Sequence, residues 1–213
     1  MAAFDLEEQE QLDALKAWWK QWGNYVIYGI AALLIAVAGW QYWQTHTAKQ
    51  SVEAASHFES MNNALEAGDM KTAREQGALL VDKYGSTPYA TRAALLVASI
   101  NVQGKDTKSA KAQLEWAAAN TKEAALRDVA RLRLAGLLLD EKDYEGALKQ
   151  LNAAHTDAYG PRFDDLKGDV YLAQGKTGEA RAAYSAAYAK LKDDNPLHGV
   201  VEMKLDSLGG PAK

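Results

Sequence analysis

The chain contains no cysteine, which excludes a disulfide scaffold, thiolate catalysis and any cysteine-ligated metal. Proline is scarce, four residues in 213, and glycine numbers only sixteen. With so few breakers among abundant alanine and leucine, helix is expected almost throughout. Positive charge is not in excess: 24 basic against 28 acidic residues give a net charge of −4. A nucleic-acid binder needs a basic face, so no nucleic-acid partner is expected. Mean hydropathy is negative, which excludes a polytopic membrane protein. The chemical signatures are missing as well. There is no phosphate loop, no G-x-S-x-G and no dinucleotide fingerprint. His46, His57, His155 and His198 lack metal-ligand spacing. The acidic pairs Asp140-Glu141, Asp164-Asp165 and Asp193-Asp194 fall at expected helix ends or turns, where capping accounts for them. The expectation is therefore a protein that is not an enzyme, with no catalytic, cofactor-binding or metal residue. A tethered enzyme with an unrecognised site is the rival.

Charge itself is missing from one place. Between Gln21 and Ala48 there is no Asp, Glu, Lys or Arg. Within it, Val26 to Trp43 reads VIYGIAALLIAVAGWQYW, whose length at 1.5 Å per residue is about 27 Å, close to a bilayer's hydrocarbon core. Aromatics bracket the run: Trp18, Trp19, Trp22 and Tyr25 before it with Tyr28 at its start, and Trp40, Tyr42 and Trp43 at its end. Indole rings favour the headgroup level, so Trp18, Trp19, Trp22, Trp40 and Trp43 are expected as interface anchors in a lipid bilayer. The alternatives are a buried core helix and a cleavable signal peptide, the latter supported by Ala36-Val37-Ala38. A signal peptide would start short and basic, whereas this leader is long and acidic, so an uncleaved anchor over 24–43 is expected. Lys16 and Lys20 precede the span and Lys49 alone follows closely, which places the N-terminus in the cytoplasm. In the tail 1–23, Leu12, Leu15, Trp19 and Trp22 recur at helical spacing among Glu8, Glu10 and Asp13. That pattern predicts an amphipathic helix running into the membrane surface, either steadying the span's entry or docking a cytoplasmic partner.

The rest of the chain repeats itself. Ala73, Ala110, Ala147 and Ala180 are spaced by 37, 37 and 33 residues. Four residues after each stand Gly77, Leu114, Leu151 and Tyr184, and three further on Leu80, Ala117, Ala154 and Ala187. Twelve residues before each alanine lie Met61, Ala98, Ala135 and Gly168, then Ala64, Asn101, Leu138 and Tyr171. Turn signals separate the halves at Gly68-Asp69, Gly104-Lys105, Asp140 to Asp143 and Gly175-Lys176. Small residues suit close helix crossings and larger ones fill the gap to the next pair, so the pattern predicts a stack of about four helical hairpins. A bundle with chance alanine spacing is the alternative. No breaker lies between Gly39 and Gly68, so the span can run on as a helix into the first hairpin. Pro196 to Leu208 reads as a capping helix. The domain organisation expected is a tail (1–23), a span (24–43), a repeat domain (44–208) and a flexible terminus (209–213).

The first helices of stacked hairpins line a concave side. In the register above, their exposed positions are Phe58, Asn62, Leu65, Arg92, Leu95, Val102, Leu132, Leu139, Arg162, Asp165, Asp169 and Leu172. Such a groove suits an apolar or extended polypeptide, with Leu95, Leu132 and Leu139 as its exposed centre. It can equally be filled by the chain's own last helix.

The repeated G/A-x-x-Y/L and A-x-x-x-F/Y-x-x-A pattern resembles the tetratricopeptide repeat. Gly168, Tyr171, Ala180, Tyr184 and Ala187 form the best copy, while Asn101 and Gly77 depart from it. Joined to Lys16-Ala17-Trp18-Trp19 and Gly39-Trp40-Gln41-Tyr42-Trp43, the whole chain resembles the YfgM family of inner-membrane proteins of Gram-negative bacteria. That resemblance implies a non-enzymatic scaffold at the SecYEG translocon, with its repeats in the periplasm. It implies a PpiD-like periplasmic chaperone and client polypeptides as partners, and a tail linked to an RcsB-type stress regulator. The competing topology is an adaptor with its repeats in the cytoplasm.

Overall fold

The computed structural model describes residues 2–210, with side chains from Glu10 onward. The side chain of Glu8 and the terminus from Pro211 on, both part of the expectations above, lie outside the described residues. Those described residues form nine helices and no strand. They are α1 (Ala2–Glu66), α2 (Met70–Lys83), α3 (Pro88–Gln103), α4 (Thr107–Asn120), α5 (Ala124–Asp140), α6 (Tyr144–Leu151), α7 (Gly160–Ala173), α8 (Thr177–Lys190) and α9 (Pro196–Ser207). The chain divides into two compact units, Met1–Gln50 and Ser51–Lys213.

The first unit is the N-terminal part of α1. It includes a stretch long and apolar enough to cross a membrane, and almost none of that stretch is covered by protein. Trp18, Trp19, Trp22, Trp40 and Trp43 are all exposed, as are Ile35 and Leu33 between them. Thr45 and Thr47 return their hydroxyls to the carbonyls of Gln41 and Trp43, so neither interrupts the helix.

The second unit is a succession of hairpins. The last turns of α1 pair with α2, then α3 with α4, α5 with α6 and α7 with α8, and α9 follows. One device closes all four hairpins. A residue in the left-handed region, Gly68, Lys105, Lys142 or Gly175, ends the first helix with φ between 61° and 74°. The amide of the next residue reaches back to the first helix: Asp69 to the carbonyl of Ala64, Asp106 to Asn101, Asp143 to Leu138 and Lys176 to Tyr171. This is the Schellman bond, which satisfies carbonyls the helix end would leave open. In three hairpins the same residue then caps the second helix. Asp69, Asp106 and Asp143 each accept the amide three residues on, from Thr72, Ser109 and Gly146. The Thr72 hydroxyl bonded to Asp69 and the Ser109 side chain beside Asp106 hold those two carboxyls below the usual carboxylate range.

The four repeat alanines are fully buried. A Cβ on Gly168 would overlap the ring of Tyr184, and one on Gly77 would overlap Val97. The small residues thus stand where two helices meet most closely. Asn101 has its own reason: its Oδ1 accepts a 2.9 Å bond from Arg74 Nε across the α2–α3 contact. The third hairpin departs from the expected register. Its second helix stops at Leu151, and Ala154 is exposed in the following loop. Buried Asp128 on α5 draws that loop in, accepting Thr156 N at 2.9 Å and Thr156 Oγ1 at 2.7 Å. His155 stacks on Phe163 at 4.2 Å between centroids. The apolar interior falls into three clusters, one around Met61 and Leu80, one around Leu114, Leu134 and Phe163, and one where Val201 and Leu205 of α9 meet Tyr184.

Candidate functional site

The first helices of the hairpins carry two open concavities. One, of about 290 Å³, is lined by Ala98, Ser99 and Val102 of α3 and by Arg133, Gly136, Leu137 and Asp140 of α5, with Leu114 beneath. The space over Gly136 is open, and a Cβ there would meet nothing within 4 Å. The other, of about 520 Å³, is walled by α5, α7 and α9 through Leu132, Arg133, Arg162, Asp165, Leu166, Pro196, Leu197 and Val200.

The expected groove residues meet different fates. Val102 is exposed and lines the first concavity; Leu132, Arg162 and Asp165 line the second. Leu95 corrects the expectation: it is only 6% exposed and belongs to the central core cluster. Leu132 and Leu139 are half-buried against that same cluster, so the three leucines are not an exposed centre. Phe58 and Leu65 pack on the N-terminal cluster, Phe58 tilted against Tyr89 at 5.6 Å, with Asn62 half-buried on the same helix. Arg92 is committed to a two-pronged pair with Glu123, both bonds 3.1 Å. Leu172 is 40% exposed on the last turn of α7.

Sequence reasoning missed Ser99, Arg133, Gly136 and the α9 wall. On α5 the concavities take Arg133 and Asp140, each one position C-terminal to the chosen Leu132 and Leu139, although Leu132 also lines one of them. Helical side chains lean toward the N-terminus, so a given surface spot is covered by a residue slightly further along than its Cα suggests.

The chain's own last helix occupies the acidic end of the face. Lys204 of α9 donates to Asp165 Oδ1 at 2.8 Å and to both oxygens of Asp169 at 2.7 and 2.9 Å. Asp169 Oδ1 also accepts the Tyr184 hydroxyl at 2.7 Å, and Lys204 Nζ stands 5.2 Å over that ring. Burial raises the Asp165 carboxyl against the lowering pull of Lys204. For Lys204 burial works the other way, but its bonds to Asp165 and Asp169 outweigh it and hold the ammonium above the ordinary lysine value. Burial, with Asp169 beside it, lifts the Tyr184 phenol. Of the two alternatives the sequence left open, self-filling therefore applies at Asp165 and Asp169, which Lys204 of α9 engages, while the two concavities stay open.

No group of three or more metal-ligating side chains occurs among the described residues. What the face offers is shape, apolar area and a few guanidiniums.

Residues 16–210 match the tetratricopeptide repeat-like domain family. The chain is 30% identical over 207 residues to a protein of Neisseria gonorrhoeae named ancillary SecYEG translocon subunit, covering 97% of this chain and 99% of the relative. It is 27% identical over 185 residues to the Haemophilus influenzae protein of that name, covering 87% and 90% of the two chains. To the Escherichia coli one it is 28% identical over 204 residues, covering 94% and 96%.

Proposed function

The chain belongs to the tetratricopeptide repeat-like family of ancillary SecYEG translocon subunits, and from that membership we propose that it is a single-pass inner-membrane adaptor at the translocon. In this reading residues 24–43 span the bilayer, the tail 1–23 is cytoplasmic and the repeats work in the periplasm. The partners are the SecYEG translocon, a PpiD-like membrane-anchored chaperone and emerging client polypeptides. Its role is to hold, not to transform: the repeat face passes segments onward without chemistry, and the tail communicates with a stress regulator.

The observation that carries this reading is the uncovered apolar part of α1 in a chain related end to end to translocon subunits. Burying an apolar surface of this size in lipid is strongly favourable, and a spanning helix satisfies its own backbone hydrogen bonds. The orientation is supported by Lys16 and Lys20 before the span against Lys49 after it. A photo-crosslinking residue in place of Ile35, which is 74% exposed, should capture a translocon subunit in intact cells. Protease added to spheroplasts should digest the repeats and spare the tail. Failure of the capture overturns the translocon reading, and a protected repeat body places the adaptor's repeats in the cytoplasm.

A further inference from the structure

The concavity between α5, α7 and α9 differs in charge from the chain as a whole. Its apolar wall is made by Leu132, Leu166, Leu197 and Val200, and two guanidiniums, Arg133 and Arg162, stand among them. Only one carboxylate lines it, Asp165, and Lys204 already holds that group. Asp169 next to it is held by Lys204 too. Three cations therefore face two engaged carboxylates, a local excess of one positive charge on a chain of net charge −4.

The two arginines are not equally free. Arg133 gives one N–H to the Leu95 carbonyl at 3.1 Å, which fixes it at the edge of both concavities. Arg162 is exposed, and while its backbone amide bonds to the Tyr159 carbonyl, its guanidinium makes no hydrogen bond or ion pair among the described residues. A guanidinium presents five donors in a planar fork that matches a carboxylate. Placed beside an apolar wall, it is best completed by a ligand that brings both an apolar group and an anion.

We propose that this concavity docks a polypeptide segment in which an apolar side chain lies beside an acidic one, the apolar group against Leu132, Leu166 and Val200 and the carboxylate on Arg162. The site rests on the reading of the repeat face as a polypeptide-binding surface and adds to it a selection for acidic over basic segments. Charge of one sign at the edge of an apolar patch mainly sets which partners are refused. A basic segment would meet Arg133 and Arg162 unpaired.

The test uses the full-length chain in detergent and four fluorescent twelve-residue peptides. They share one frame and carry Leu with Glu, Leu with Gln, Leu with Lys, or Ser with Glu at the two central positions. Anisotropy titration should rank the Leu–Glu peptide about threefold to fivefold tighter than Leu–Gln, the size expected of an exposed ion pair. Leu–Lys should be weaker still, and Ser–Glu should lose binding altogether. Arg162→Glu should reverse the order of the Glu and Lys peptides while the chain keeps its cooperative melt, because the Arg162 side chain supports no other group and Glu suits the first turn of α7. Equal affinity of the Glu, Gln and Lys peptides overturns the acidic selection while leaving the face a polypeptide binder. Binding of the Ser–Glu peptide as tightly as Leu–Glu overturns the apolar anchor, and an order unaffected by Arg162→Glu places the site elsewhere. If no peptide binds, the proposal fails, while the capture at the Ile35 position still decides the translocon reading on its own.

Discussion

Lys204 is the side chain on which the end of the repeat face turns. Its ammonium answers two carboxylates, so removing it leaves Asp165 and Asp169 half-buried without a counter-charge. Lys204→Met should cost about 1–3 kcal/mol, the usual penalty for polar groups left unsatisfied, seen as a lower urea midpoint. The pH dependence follows from the direction of the shift. The folded-state value for Lys204 is raised above its ordinary 10.5, so its contribution is fully present below that value and is lost as pH rises through the higher folded value. The stability gap between wild type and Lys204→Met should therefore hold steady from about pH 6, above the carboxylate range, to about pH 10, and close above it. Asp165 works in the same sense at lower pH: its raised value lets the folded chain keep a proton the unfolded chain has released, so this group favours folding as pH falls through the carboxylate range. A gap that closes between pH 6 and 9 would show that the ion pair is not what Lys204 contributes. Nothing in the spacing of Lys204 announced this role. Asp165 and Asp169 stood in the expected groove by periodicity, but their partner lies more than thirty residues away, and only packing of α9 brings it there.

At the scale of the element, the four hairpin turns compare one solution with itself. Asp69, Asp106, Asp143 and Lys176 share one backbone conformation, φ from −81° to −90° and ψ from 72° to 80°. Three carry the carboxylate that caps the following helix, and Lys176 makes no side-chain cap. It also sets a positive charge at a helix N-terminus, where the macrodipole disfavours it. Lys176→Asp should thus stabilise the chain by about 0.5–1 kcal/mol, measured as a rise in thermal midpoint. An unchanged or lower midpoint would mean the fourth turn does not share the conformation of the others. The places of the turns were legible in sequence, and Gly68 and Gly175 mark the left-handed residue in two of them, but Lys105 and Lys142 take that position in the other two, with Gly104 at φ −77°. The early end of α6 was not legible. Ala154 kept the repeat spacing, but buried Asp128, on the preceding helix, claims the backbone of Thr156 and takes the segment out of the helix.

Taken as a whole molecule, the second unit contains all of its own apolar interior: the three clusters draw their buried residues from Ala54 through Leu205. A chain beginning at Ser51 should accordingly keep a cooperative helical melt, followed by circular dichroism, while losing retention in the membrane fraction. A non-cooperative melt would mean the first unit is needed for the repeats to fold. The sequence by itself determined the helical class, the uncharged aromatic-bracketed run, the number of hairpins and the closing helix. Each rests on local spacing, on breakers, or on the small residues that a close crossing demands. Only the tertiary structure decided which face of each first helix is open. Leu95 and Ser99 stand four residues apart on α3, yet one is core and the other lines a concavity. The lean of helical side chains and the neighbours they meet settle that difference, and periodicity carries neither. The same packing set Lys204 against the acids and left Arg162 unpaired among the described residues, because charge pairing between distant helices depends on where the chain has already been placed by its apolar contacts.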